Sequence, residues 1–415
     1  MRQGDAEVKK KISRAEKAAT RRAIRRERRG AKAKAAAEEA KGFGKGLSKV
    51  IGRYDFVVVL LVVLLSCFGI AMVFSAGYYQ TINSADPDPT YYLFRQAFFV
   101  ATGLLIMLIV ANIDYHKYMK VATMIMLISV GSLVVVMAVG SSVNNAQRWI
   151  NLGFIRITPS EFCKVAMIIF TSCYLASDPD NIRSAKGLSV LFAVMLAHFG
   201  LIVMQPNLST AIVIVAIMGA IMLVAGLNLL FLALPAAAGV AGYMYIMTAR
   251  TPEHWYQRLS SFMDPFADSQ GDGYQVTQGL IALGNGGLKG LGFGRSVAKN
   301  LYLPEPQNDF ILAVLGEELG YIGFLVLMLL YIILLFRMIM VALKAPDKLG
   351  FYLATGVTVM LGLQVIINVA VVTSSMPATG ITLPFISYGG TSIWAFMIAI
   401  GIVLNVSKNA RGEKQ

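Results

Sequence analysis

From Tyr54 onward the chain is a succession of apolar windows separated by short polar interruptions, each window about the 20 residues a helix needs to cross a bilayer. Ten windows stand out, at residues 54–76, 91–111, 121–140, 160–177, 187–204, 208–225, 228–248, 310–337, 350–373 and 391–407. The predicted fold is an all-α polytopic membrane protein of about ten transmembrane helices. A large loop, residues 249–309, separates the seventh helix from the eighth.

Loop charge sets the expected orientation. DYHKYMK, DPDNIRSAKG and FRMIMVALKAPDK all carry Lys or Arg and fall on one side, with a very short turn near Gly226. By the positive-inside rule that side is cytoplasmic, and both chain ends lie there. The outside then holds residues 77–90, 141–159, 205–207, 249–309 and 374–390. The loop 249–309 carries apolar patches, Leu280 to Leu283 and Leu301 to Leu303, which predict short interfacial helices. No internal repeat of the kind that marks many transporters is visible.

Composition sharpens this picture in one place. Of the 415 residues 56% are hydrophobic and 14% charged, against about a quarter charged in soluble domains. The net charge of +14 is concentrated in residues 1–53, where 18 Lys/Arg face 6 Asp/Glu. That segment is Ala-rich and poor in aromatics, so it is expected to be disordered or a solvated helix. Its expected partner is the anionic membrane surface, with no nucleic acid. The chain thus divides into a basic cytoplasmic extension (1–53), a transmembrane domain (54–407) and a cytoplasmic tail (408–415). The first apolar window is a full span, so no cleavable signal is expected. Cys67, Cys163 and Cys173 lie in apolar segments without a CxxC, which favours packing over a disulfide or zinc site.

Five segments could carry chemistry. In RWINLGFIRITPSEFCKV, residues 148–165, Pro159 and Ser160 suit a helix start and place Glu161 three residues before Lys164 on one face. Such a pair is either a salt bridge or the lining of a wet cavity. Arg148 beside Trp149 is either an interface anchor or a contact for an anionic ligand. ALGNGGLKGLGFGRS, residues 282–296, has neither GxxxxGK[ST] nor a properly spaced GxGxxG, so its glycines build either diphosphate-binding N–H nests or a tightly packed loop. Lys289, Arg295 and Lys299 place positive charge outside the membrane, as an anionic substrate headgroup would require. Glu305, Asp309, Glu317 and Glu318 cluster at the eighth span. Adjacent Glu317 and Glu318 sit about 100° apart on a helix, so at most one looks straight into a cavity. MPATGITLPFISYGGTS, residues 376–392, is Pro/Gly-broken backbone of the kind that lines cavities, and includes Ser387. FMDPFADSQGDGYQ places Asp264, Asp268 and Asp272 in one loop. Asp264 before Pro265 and Asp272 between two glycines read as turn residues. His198, alone in a span, reads as a hydrogen-bonded core residue.

Taken in order and spacing, RWINLG, TPSEFCK, QPNLST, DPFADSQGDGYQ, ALGNGGLKGLGFGRS, YLPEPQNDFILAVLGEELG and LPFISYGGTS resemble the SEDS family (shape, elongation, division and sporulation) of FtsW, RodA and SpoVE type, over residues 54–407. The wording is most similar to the division branch. Asn207 and Thr379 depart from common family residues, the first where an acid is frequent.

The resemblance implies a peptidoglycan glycosyltransferase. The 4-hydroxyl of a lipid II sugar would attack the anomeric carbon of a polyprenyl-diphosphate-linked glycan, with inversion. A diphosphate leaving group needs charge neutralisation rather than a proton, so one base is enough, unlike the two carboxylates of a glycoside hydrolase. The resemblance places that base at Asp268. Arg148, Lys164, Lys299 or a divalent cation, Mg or Mn, would stabilise the diphosphate, and no organic cofactor is expected. Glu161, Glu305, Asp309, Glu318 and Ser387 are the other expected cavity or substrate residues. Implied partners are a class B penicillin-binding transpeptidase and other division-complex membrane proteins, at the septum of the bacterial inner membrane. A lipid-linked precursor flippase and a non-catalytic scaffold are the competing functions.

Overall fold

The computed structural model describes residues 54–83, 87–143, 146–151, 153, 155–249, 253–267, 271 and 273–412. The basic extension 1–53, Asp268 and Asp272 lie outside the described residues. Residues from Asp55 onward form one compact unit.

Every predicted window falls on a helix. In chain order these are α1 (Phe56–Ile82), α2 (Tyr91–Asn112), α3 (Tyr118–Val139), α4 (Pro159–Ser177), α5 (Ala185–Val203), α6 (Leu208–Val224) and α7 (Leu230–Ala249). Two shorter helices, α8 (Glu253–Met263) and α9 (Tyr274–Gly286), lie in the large loop, and α10 (Ile311–Leu343), α11 (Lys348–Val372) and α12 (Gly390–Gly412) follow. Among the described residues seven helices are long and apolar enough to cross a membrane, with α6 shorter. The ionisable pair on α4 makes that helix less apolar than its neighbours.

Burial separates core helices from lipid-facing ones. The apolar window of α12 is 83% buried against other helices, that of α3 only 22%. The outward rows on α3 and α10, such as Leu127, Ile128, Leu329 and Ile332, are exposed apolar side chains suited to lipid tails. His198 is a core residue, with Nε2 at 2.7 Å from Ser129 Oγ and Nδ1 at 2.9 Å from the Val194 carbonyl. Cys163 and Cys173 are buried free thiols and Cys67 is an exposed one.

The loops hold some structure that hydropathy did not predict. Residues 141–157 form a small antiparallel sheet, β1 (Ser141–Val143), β2 (Ala146–Asn151) and β3 (Arg156–Ile157), with Ile150 paired to Ile157. Strands this short carry no readable alternation. In the large loop α9 covers Leu280 to Leu283 as expected, whereas Leu301 to Leu303 lie in turns.

The longest helix, α10, is broken at Gly320 (φ 66°, ψ −168°). An unbroken helix would bond Tyr321 N–H to the Glu317 carbonyl and Ile322 N–H to the Glu318 carbonyl. Here both pairs are exchanged with the glycine loop. Leu291 and Gly292 N–H donate to the Glu317 and Glu318 carbonyls, each at 2.9 Å, while Tyr321 and Ile322 N–H donate to the carbonyls of Gly287 and Leu288 at 2.9 and 3.1 Å. These four backbone groups all keep partners across the break, as burial inside a membrane requires. Gly290 (φ 76°) and Gly320 meet backbone to backbone, where a Cβ on either would overlap the other strand. The tightly packed loop is therefore the role of ALGNGGLKGLGFG that the geometry supports.

Candidate functional site

Two buried ion pairs stand at the end of the bundle that carries the large loop. The first is local: α4 begins at Pro159, and Lys164 Nζ lies 2.9 Å from Glu161 Oε2 one turn away. Lys164 also donates to Gln364 Oε1 of α11 at 3.2 Å, and its ammonium stands 5.8 Å from the Phe396 ring centre on α12. The lysine side chain is 4% exposed and the glutamate 16%, so the pair opens outward through its acid. An ammonium has three donors. The two hydrogen bonds to Glu161 and Gln364 leave one for a further acceptor.

One turn further along α11, Asn368 Nδ2 donates to the Asp309 carbonyl at 2.8 Å and to the Ile381 carbonyl at 2.9 Å. Spacing i, i+4 puts Gln364 and Asn368 on one face. This face thereby joins the Glu161–Lys164 pair to the segment leading into α10 and to the Pro/Gly-broken loop before α12. The same two segments are stitched again where Tyr388 N–H donates to the Gln307 carbonyl at 2.8 Å, and Gln307 Nε2 reaches Tyr92 Oη at 3.0 Å. Burial raises the pKa of Tyr388, against the lowering effect of Arg95, so its phenol stays neutral.

The second pair is formed between distant segments. Lys299 Nζ lies 2.7 Å from Glu318 Oε1, and Ser75 Oγ of α1 bridges the two, 2.9 Å from the ammonium and 2.6 Å from the carboxylate. Neighbouring Glu317 accepts from Ser296 Oγ, from Ala298 N–H at 3.1 Å and from Asn285 Nδ2 at 3.4 Å. Both glutamates are fully buried and meet at Ser296, whose hydroxyl donates to Glu317 and whose N–H donates to Glu318 at 3.4 Å. Neither looks into an open cavity, because residues 296–299 supply partners to both.

The other expected residues are placed separately. Arg148, on β2, donates from Nε to the Gln205 carbonyl at 3.0 Å and fastens the sheet to the α5–α6 turn. Glu305 is exposed in a left-handed backbone conformation (φ 44°) and accepts from Asn308 at 2.6 Å. Asp309 is half-buried at the entry to α10. Ser387 Oγ accepts Leu383 N–H at 2.8 Å and braces its own turn. Asn207 caps α6, accepting Thr210 N–H at 3.4 Å. Asp264 accepts Ala267 N–H at 3.2 Å, as a turn residue does, and Thr277 of α9 holds the Pro265 carbonyl at 2.8 Å. Those contacts anchor the described stretch immediately before Asp268.

Sequence reasoning passed over Gln364, Asn368, Ser75 and Ser296. Their signal was present as polar side chains inside or beside apolar windows, but a lone amide or hydroxyl there usually bonds its own helix. As for a divalent cation, no group of three or more His, Cys, Asp or Glu that could hold one occurs among the described residues. The described side chains therefore do not by themselves make a metal site.

The sequence profile of the FtsW, RodA and SpoVE family, described as "Cell cycle protein", matches residues 55–412. The chain is 38% identical to Stage V sporulation protein E of Bacillus subtilis, over 86% of this chain and 98% of that one. It is 35% identical to a probable peptidoglycan glycosyltransferase FtsW of Trichlorobacter lovleyi, over 86% and 94%. Among solved structures it resembles a chain from "Structural coordination of polymerization and crosslinking by a peptidoglycan synthase complex", with TM-score 0.71 and 26% identity over 86% of this chain and 98% of that one.

Proposed function

This chain belongs to the FtsW/RodA/SpoVE family, and on that premise we propose that it is a peptidoglycan glycosyltransferase that polymerises lipid II into glycan strands. The observation that carries this reading is the match, along nearly the whole length, to relatives named peptidoglycan glycosyltransferase. The inner-membrane division septum is the proposed place of action, with a class B penicillin-binding transpeptidase as partner.

In the proposed reaction the acceptor 4-hydroxyl oxygen forms a bond to the donor's anomeric carbon as the bond from that carbon to the diphosphate oxygen breaks. The hydroxyl proton passes to the Asp268 carboxylate, and the electron pair leaves with the diphosphate. Lys164 is the proposed cation for that diphosphate, because its pair stays partly open through Glu161 and its ammonium keeps a donor beyond Glu161 and Gln364. Lys299 makes as many hydrogen bonds but is sealed in with Glu318 and Ser75, and serves the packing of the loop. If Mg or Mn is bound, it would supply charge neutralisation at the diphosphate.

The test is polymer formation from lipid II by purified protein with its transpeptidase partner, wild type against Asp268→Asn. Loss of polymer in the variant, with the partner still bound, is the expected result. Polymer from both would remove Asp268 as the base. No polymer from either, with lipid translocation in vesicles intact, would establish a flippase instead.

A further inference from the structure

At the membrane face opposite the large loop, α4, α6 and α11 enclose a cavity of about 250 Å³ with the short 3₁₀ turn Pro179–Ile182. Its polar lining is Asp180, Arg183, Lys348 and Tyr352, and its apolar lining includes Leu175 and Ala225. We propose that this cavity binds a phosphate-type anion, such as the phosphate of an acidic lipid headgroup.

Three donors converge there. Lys348 is the first residue of α11, and Tyr352 lies one turn on along the same face. Arg183 immediately precedes Ser184, the N-cap of α5. Neither cation has an ion-pair partner among the described residues: Asp180 lies beyond salt-bridge distance of both. Asp347, next to Lys348, is engaged elsewhere, holding Tyr115 Oη at 2.6 Å, His116 Nε2 at 2.8 Å and Gly350 N–H at 2.7 Å.

Tyr352 adds a third donor. Most of the residue is buried, and it lines the cavity. Its phenol can donate to an oxyanion held by the two cations. Two cations against one acid give the cavity a net positive charge, and the start of α11 adds the positive end of a helix dipole. The cavity lies at helix ends, on the face whose loops carry Lys and Arg, where basic residues attract anionic headgroups.

The experiment uses the full chain, purified in detergent and probed by native mass spectrometry with phosphatidylglycerol or phosphatidylcholine, and separately by inorganic phosphate titration. Wild type is expected to retain phosphatidylglycerol over phosphatidylcholine, with retention falling about fivefold for each cation removed in Arg183→Gln and Lys348→Gln. Asp180→Asn is expected to raise retention, a gain that a misfolded variant could not produce. Competition by inorganic phosphate would mark the site as a general phosphate site, and lipid retention without it would make the headgroup the ligand. Retention equal across the two lipids, or unchanged in all three variants, would overturn the proposal.

Discussion

The two buried ion pairs are chemically alike and differently placed. Glu161–Lys164 joins residues one helical turn apart, draws in one amide from α11, and keeps its carboxylate partly accessible. Lys299–Glu318 joins a loop to a broken helix and to α1, and both charges are sealed. A sealed pair can bind nothing new, so its role is to hold the glycine loop against the break in α10. The Glu161–Lys164 pair stays open through its acid, which is what the proposed substrate contact requires. Each ammonium makes two hydrogen bonds, so what separates the pairs is the accessibility of the acid, 16% exposed for Glu161 and none for Glu318.

Removing one partner of the sealed pair should have the largest effect. Glu318→Ala leaves Lys299 buried without a counter-charge and is expected to cost about 3–5 kcal/mol. Glu161→Ala should cost clearly less, because Gln364 and the nearby opening remain to solvate Lys164. Thermal unfolding of both in one detergent checks this, and equal losses would erase the distinction.

The functional half of the comparison rests on Lys164. Lys164→Met is expected to slow glycan polymerisation by about 10²-fold, the effect of losing one group aimed at transition-state charge. The polymerisation rate from lipid II reads this directly. A rate change no larger than that of a stability-matched core variant would assign Lys164 to packing.

Gly290→Ala tests the bonding exchange at the α10 break. The left-handed backbone alone costs about 1–2 kcal/mol for a residue with a Cβ, before the overlap with the Glu318 carbonyl. Amide hydrogen exchange should quicken at Tyr321 and Ile322 more than at the remainder of α10. Uniform exchange along the helix would mean the loop does not brace the break.

The smallest effect is expected far from both pairs, at Asp347. Burial would raise its pKa, but hydrogen bonds from Tyr115, Gly350 and His116 outweigh burial and hold it below the ordinary 3.8. Its stabilising contribution is therefore complete above pH 3.8 and is lost as pH falls through the lowered folded-state value. Asp347→Ala removes an N-cap and should cost about 1 kcal/mol at neutral pH. The gap from wild type should close in acid, measured as melting temperature against pH.

All ten apolar windows fell on helices because hydropathy over some 20 residues reports the surroundings of a whole segment and tolerates local detail. The start of α4 at Pro159 and the meeting of Glu161 with Lys164 were legible for a related reason: both depend on spacing along one helix. The small sheet at 141–157 was not, since its strands are two to six residues long. Nor was the meeting of Lys299 with Glu318, which depends on a kink at Gly320 that only the packed loop makes affordable.

The sequence by itself determined the membrane architecture, the sidedness bias of its loops and the family, because transfer of apolar side chains into lipid and ordered motifs are properties of contiguous residues. Only the tertiary structure decided which charges are sealed and which stay open. A lysine's availability depends on acceptors brought from elsewhere: Glu318 and Ser75 for Lys299, Gln364 for Lys164. Those acceptors lie 19 and 224 residues from Lys299 and 200 from Lys164, and no pattern along the chain encodes which of them will meet.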